Sequence, residues 1–282
     1  MSNFLEAILN ICSNPITELK SHYSARNKMN NMGDALEMYI QDAFCNSINE
    51  KSVEIRSKNI NETFSYLGNQ NNPPDMILKN GDAIEVKKIQ SIGSQIALNS
   101  SYPKDKLYNS DSRITESCKN CEEGGWSVKD LIYTIGFTSD DTLKHLWLVY
   151  GDCYAAEESI YTRISSKIKS GISEISDVEF QTTNELGRVN KVDPLGITYL
   201  RIRGMWGIQN PKNVYSDLYK IPVDSVFSLS ALITENKYNS FPVESRLTLE
   251  SDNSIIVADV NIKDPNNPAE LIKTKLITYT QL

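Results

Sequence analysis

The chain has 282 residues, 40 % of them hydrophobic and 23 % charged, with a net charge of −7 at pH 7. That length buries a substantial core, and the acidic total excludes a nonspecific nucleic-acid coat protein, which would be basic. No run reaches the roughly 18 to 20 apolar residues that cross a bilayer.

Without internal repeats, low-complexity tracts or a Gly/Ser/Pro linker, residues 1–282 read as one domain. The first 50 residues read as helical, with Asn14-Pro15 breaking one short helix and starting another. From Gly33 onward, Leu36, Ile40, Ala43 and Phe44 recur at helical spacing and form one apolar stripe, with Glu37 at its border. Ser52-Val53-Glu54-Ile55-Arg56 alternates in strand fashion. Asp75-Met76-Ile77-Leu78-Lys79 and Ala83-Ile84-Glu85-Val86-Lys87 are short strands on either side of Asn80-Gly81, a strong hairpin signal. Residues 91–125 are polar and read as a long functional or mobile loop region. The apolar runs 131–137 and 146–150 read as core strands, and 156–172 as an amphipathic helix with Ile160, Ile164 and Ile168 four apart. Residues 187–206, rich in Gly, Arg and β-branched types, read as loop and strand. Interleaved strands and helices predict an α/β (α+β) fold with a mixed central sheet flanked by helices.

The segment that carries chemistry is Pro74-Asp75, nine residues, then Glu85-Val86-Lys87. Hydrolysing a phosphodiester calls for a metal that neutralises the phosphate and lowers the pKa of the attacking water. Mg²⁺ takes hard oxygen ligands, usually one or two carboxylates with water and phosphate. A hairpin brings Asp75 near Glu85, and residues two apart on a strand leave by the same face, so Glu85 and Lys87 point together. A lysine beside two carboxylates stays protonated and can position the water or stabilise developing charge. A solvated hairpin with a surface ion pair is the bland alternative. The proline, the turn and the alternation of apolar residues with the polar ones weigh against it.

Pro74-Asp75…Glu85-Val86-Lys87 resembles the PD-(D/E)xK nuclease motif, and Glu37 matches the helical glutamate found upstream in many such enzymes. More specifically, NPITELKSHY (14–23), GDALEMYIQDAF (33–44), PPDMILKNGDAIEVKK (73–88) and ELGRVNKVDPLGITYLRIRGMW (185–206) resemble the NgoPII-type restriction endonucleases. The resemblance implies a restriction-endonuclease-like core and Mg²⁺-dependent double-strand cutting of a short palindrome in duplex DNA, with GGCC the expected site. It also implies a homodimer and a cognate DNA methyltransferase as functional partner. On this reading 1–50 is a helical N-terminal part, 51–155 the catalytic core and 156–282 the DNA-recognition and C-terminal part. Asp75 and Glu85 would hold the metal, Lys87 would orient the water, and Glu37 would assist. A repair or nicking nuclease on the same fold, and a DNA-binding module without catalysis, are the rival readings.

From Arg188 to Lys212 there are five basic residues against one acid, so positive charge gathers locally despite the acidic total. Arg201 and Arg203 would share one strand face, and arginine is the best bidentate reader of guanine in the major groove. Phosphate contact, or pairing with acids on the sheet, is the alternative for both. Arg188 and Lys191 lie in a turn-like stretch and suit the DNA backbone better than base edges. Trp206 reads as core. Cys118-x2-Cys121 is at most half a zinc site, and His22 and His145 carry no catalytic motif. The five sparse cysteines make no disulfide framework, and MSNFLEAILNICSNP lacks a basic leader and cleavage site, which together read as cytoplasmic.

Overall fold

The computed structural model describes residues 2–24, 32–69 and 72–282. The N-terminal part is helical: α1 (Phe4–Ser13), α2 (Leu19–Ser24), α3 (Met32–Phe44) and α4 (Val53–Thr63). Strands β1 (Phe64–Asn69), β2 (Asn72–Leu78) and β3 (Ala83–Ile89) follow, then the short β4 (Ile96–Asn99), β5 (Lys106–Tyr108) and α5 (Glu116–Lys119). The hairpin of β6 (Val128–Ser139) and β7 (Thr142–Tyr150) leads into α6 (Gly151–Tyr154) and α7 (Glu158–Ser173). Next come β8 (Gly187–Asn190), β9 (Tyr199–Ile202), β10 (Trp206–Ile208) and α8 (Pro211–Val214). The chain closes with β11 (Phe227–Thr234), α9 (Glu235–Ser240), α10 (Val243–Ser251), β12 (Ile255–Lys263) and β13 (Leu271–Gln281).

One sheet runs in the order β1-β2-β3-β6-β7-β11-β13-β12, with β5 added on the first residues of β6. The β3–β6 and β7–β11 pairs are parallel and the other pairs antiparallel, so the sheet is mixed, as expected. The apolar runs of β6, β7 and β11 occupy its centre, where strands covered on both faces read as continuous hydrophobic stretches. β4 with β10, and β8 with β9, form two small antiparallel pairs outside it.

The helices lie where their apolar faces find the sheet. Asn3 caps α1, its Oδ1 accepting from the Leu5 and Glu6 amides, and the helix buries Phe4, Leu5, Ala7, Ile8 and Ile11. α3 sits so close to β6 that a Cβ on Gly136 would stand 2.6 Å from Leu36 Cδ2. Burying each such leucine or isoleucine contributes about 1.5–3 kcal/mol. In contrast, α7 buries none of its residues, and Ile164 and Ile168 remain 42 % and 46 % exposed.

The strand expected at Ser52–Arg56 is instead the start of α4. Ser52 acts as its cap, the hydroxyl accepting from the Ile55 amide. The alternation of Val53 and Ile55 carries no burial, for both are exposed. A local cap therefore decided what a five-residue apolar alternation did not. The helix is tied back to α3 by Arg56, whose Nε donates to the buried Asp42 at 2.7 Å.

Candidate active site

The β2–β3 hairpin forms where the sequence places it, although its turn is longer than Asn80-Gly81 alone. Residues 79–82 connect the strands, Asn80 takes the left-handed conformation at φ 54°, and the Gly81 amide donates to the Leu78 carbonyl at 3.0 Å. The turn is pinned by charge. Lys237 reaches Asp82 and Asp130 at 2.7 Å each, and the Tyr150 hydroxyl donates to Asp82 at 2.7 Å.

The register Met76↔Ile84 and Ile77↔Ala83 sets Asp75 across from Glu85 one step beyond the paired rungs. The Val86 amide donates to Asp75 Oδ2 at 2.6 Å, which fixes that carboxylate against β3. Lys87 Nζ donates to Glu85 Oε1 at 2.5 Å, so the two side chains leave β3 on the same face as the period-2 argument requires. Val86 points the other way, against the core. β1 closes the arrangement from the far side: a Cβ on Gly68 would stand 2.3 Å from the Pro74 carbonyl oxygen. Only glycine lets the strands approach so closely there.

The electrostatics are those of acids gathered out of water. Desolvation first, and then the neighbouring Glu85 charge, push the Asp75 carboxyl up to about 8. Burial alone would lower the Lys87 ammonium, but Glu85 and Asp75 outweigh it and hold it above its ordinary value. Glu37 is exposed on α3 and feels the charges of the cluster. Desolvation, Asp34 and Glu85 raise it above the usual carboxylate range.

Glu85 Oε2 is buried with no hydrogen-bond partner. An orphaned carboxylate oxygen beside a second carboxylate is a donor set suited to a hard cation such as Mg²⁺, which accepts one or two carboxylates and keeps water or phosphate at its other positions. The residues present fit such an ion. Among the described residues no group of three or more His, Cys, Asp or Glu side chains converges as a metal site, so Glu37 stands beside Asp75 and Glu85 without joining them as a third ligand.

A pocket of about 210 Å³ opens on this cluster, lined by Asn72, Asp75, Glu85, Lys87, Ser100 and Arg113 among others. Ser100 and Arg113 also line the adjoining cleft of about 520 Å³, into which Arg201, Arg203, Lys169 and Trp206 project. The two arginines expected on one strand face thus border the same cleft, and both are held by one carboxylate. Arg201 Nε donates to Glu185 Oε2 and Arg203 Nε to Glu185 Oε1, each at 2.8 Å. Arg201 first, then Arg203, lowers the Glu185 carboxyl to about 2.

Arg188 and Lys191 line neither space. Arg188 stacks over Tyr199 at 4.9 Å and donates to Asn190, whereas Lys191 takes a left-handed conformation in the β8–β9 connection. Trp206 is half-buried against the core and lies edge-on to Tyr102 and Tyr161. His22 bonds the Ile48 carbonyl, and His145 lies buried against Ser228. Glu185, Asn72 and Ser100 carry no motif of their own. Asn72 begins β2, the strand of Asp75 itself, Ser100 follows β4, which pairs with the distant β10, and Glu185 borders the cleft as the partner of Arg201 and Arg203.

A family model for the NgoPII restriction endonuclease matches residues 2–263. The chain is also similar to the type II restriction enzyme NgoPII of Neisseria gonorrhoeae. The two are 47 % identical over 278 residues, which covers 98 % of this chain and 99 % of that protein. No solved structure matches the chain.

Proposed function

This chain belongs to the NgoPII restriction endonuclease family, and from that premise we propose that it makes Mg²⁺-dependent double-strand cuts in duplex DNA at a short palindrome, GGCC, through Asp75, Glu85 and Lys87. Its enzyme class, a type II site-specific deoxyribonuclease, follows from the family. The observation that carries the site assignment is the buried, unpartnered oxygen of Glu85 beside Asp75, with Lys87 fixed between cluster and pocket.

Asp75 and Glu85 hold the cation. When bound, the ion supplies charge neutralisation at the phosphate and an acidified water. Lys87 remains protonated between its carboxylates and offers an N–H to the water or to the charge that builds on phosphate oxygen. Glu37, on α3, would assist a metal ligand or a second metal. Asp75 is held by the Val86 amide, so its free oxygen keeps a fixed aim. Cleavage leaves 5′-phosphate and 3′-hydroxyl ends.

Arg201 and Arg203 read guanine edges from the cleft, while Arg188 and Lys191 touch the DNA backbone. Each active site cuts one strand, so a palindrome is cut cleanly by a homodimer with a two-fold axis. A cognate methyltransferase would protect host DNA, and the enzyme would act in the cytoplasm. Among the described residues no helix is long and apolar enough to cross a membrane.

Digestion of a sequenced plasmid with Mg²⁺ or with EDTA, followed by mapping of the ends, tests this. Discrete Mg²⁺-dependent bands ending at GGCC are expected. Nicks without a common sequence point to a repair nuclease, and folded protein that never cuts overturns the proposal.

A further inference from the structure

We propose that Arg113 is a phosphate-binding residue of the cutting centre, holding a phosphate of the DNA strand seated in the Asp75–Glu85–Lys87 pocket. Of the basic side chains around the site, Arg113 alone lines both the pocket of about 210 Å³ and the adjoining cleft of about 520 Å³. It therefore stands where a strand passing from the recognition cleft to the cutting centre must run.

Its guanidinium is fixed and unsatisfied. The central carbon lies over the Tyr102 ring, 4.1 Å from its centroid, a cation–π contact that holds the fork. Tyr102 is itself held: its hydroxyl donates to Glu158, and its ring stacks on Tyr161 with centroids 5.7 Å apart. Arg113 Nη1 is buried without a hydrogen-bond acceptor.

Asp111, the acid two residues away, does not pair with the fork. One of its oxygens takes Lys104 Nζ, and the other accepts from the Arg113 main-chain amide at 2.9 Å. Among the described residues no carboxylate forms an ion pair with Arg113, whereas Arg201 and Arg203 share Glu185. The main chain is positioned too, since Asn72 Nδ2 donates to the Arg113 carbonyl at 2.8 Å, three residues before Asp75. A planar fork with an orphaned donor, fixed relative to two carboxylates, suits a bidentate phosphate and not a neutral ligand.

This inference rests on Asp75, Glu85 and Lys87 being the cutting centre, and the experiment separates the two. Single-turnover cleavage of a GGCC duplex is measured for wild type, Asp75→Ala, Arg113→Ala and Arg113→Lys. The same duplex is then used with one uncharged methylphosphonate at each phosphate flanking the cut in turn. Arg113→Ala is expected to cut about 10²-fold more slowly, with partial recovery in Arg113→Lys. At one position, the methylphosphonate should slow wild type strongly and Arg113→Ala little, because the partner is already missing. If Arg113→Ala does not melt like wild type, Arg113→Lys carries the comparison. Arg113 variants that cut at the wild-type rate, or equal losses at every methylphosphonate, overturn the inference. Asp75→Ala cutting at the wild-type rate overturns instead the reading of the centre.

Discussion

Lys87 donates to one oxygen of Glu85 at 2.5 Å, while the other oxygen of the same carboxylate is buried without a partner. The carboxylate is divided between a fixed internal cation and a buried oxygen that accepts no hydrogen bond. Because Asp75 is clamped to the neighbouring Val86 amide at 2.6 Å, the hairpin presents two aimed acids and one aimed ammonium from adjacent strands.

Lys87→Ala should lower single-turnover cleavage by about 10²–10³-fold, the usual effect of removing one aimed donor at developing charge. DNA affinity in EDTA should change little, because the ammonium is directed at the cluster rather than the cleft. A gel-shift measurement in which affinity and rate fall together would assign Lys87 to binding.

Asp75→Asn should abolish cutting and yet stabilise the metal-free protein. The amide oxygen still accepts from Val86, and a carboxyl that burial and Glu85 disfavour in its charged form is gone. In EDTA near neutral pH the melting temperature should rise, by about 2–4 °C for each kcal/mol gained. Mg²⁺ should raise the melting temperature of wild type, since a ligand that binds only the folded state stabilises it, and should leave Asp75→Asn unmoved. Equal Mg²⁺ responses in the two proteins would remove Asp75 from the metal site.

Gly68→Ala tests the placement of Asp75 without touching any polar group. The added methyl would meet the Pro74 carbonyl at 2.3 Å, too close to be absorbed without moving backbone. Cleavage should drop by more than about tenfold, in keeping with the sensitivity of catalysis to ångström displacements. Gly171→Ala, on the open face of α7 with nothing nearby, should leave cleavage unchanged and add about 0.5–1 kcal/mol of stability. Activity intact in Gly68→Ala would show that β1 does not position the site.

The hairpin and its three polar residues were legible because their signals are local: alternation, a turn and a two-residue spacing. The central strands were legible because burial on both faces leaves uninterrupted apolar runs. What escaped was set by partners far along the chain. β4 and β5 hide in the polar 91–125 stretch because they pair with β10 and β6, and no local pattern announces that. Arg113 and Arg201 were legible as basic residues suited to DNA, but not the partners that hold them, Tyr102 and Asn72 for the first and Glu185 for the second. The isoleucine stripe of α7 was read correctly as helical, but periodicity did not reveal that its apolar side would remain exposed.

Arg201→Ala separates base reading from backbone contact. If Arg201 reads guanine, discrimination between GGCC and single-base variants should shrink by about 1–3 kcal/mol. If it binds phosphate, affinity should fall alike for all sequences and the salt slope should drop by about one. Cleavage rates on a panel of one-base variants at two salt concentrations decide between these outcomes. Glu185→Gln, which loosens the fork holding Arg201 and Arg203, should weaken discrimination in the same direction and by less.

His145 should govern part of the acid sensitivity of the fold. It is 1 % exposed, with Nδ1 2.6 Å from the Ser228 hydroxyl and Nε2 buried without a partner. Burial pushes its pKa down to about 3, so the ring folds neutral. An unfolded histidine titrates near 6.5, so between these values the unfolded chain binds the extra proton and stability rises with pH. The contribution is complete above about pH 6.5 and is lost progressively as pH falls, by about 2 kcal/mol at pH 5. His145→Gln cannot take up that proton. Urea melts at pH 7.5 and pH 5 should show wild type losing more stability than the variant by roughly that amount, whatever fixed packing penalty the glutamine carries. Parallel losses in the two proteins would mean that carboxylates alone set the acid limb.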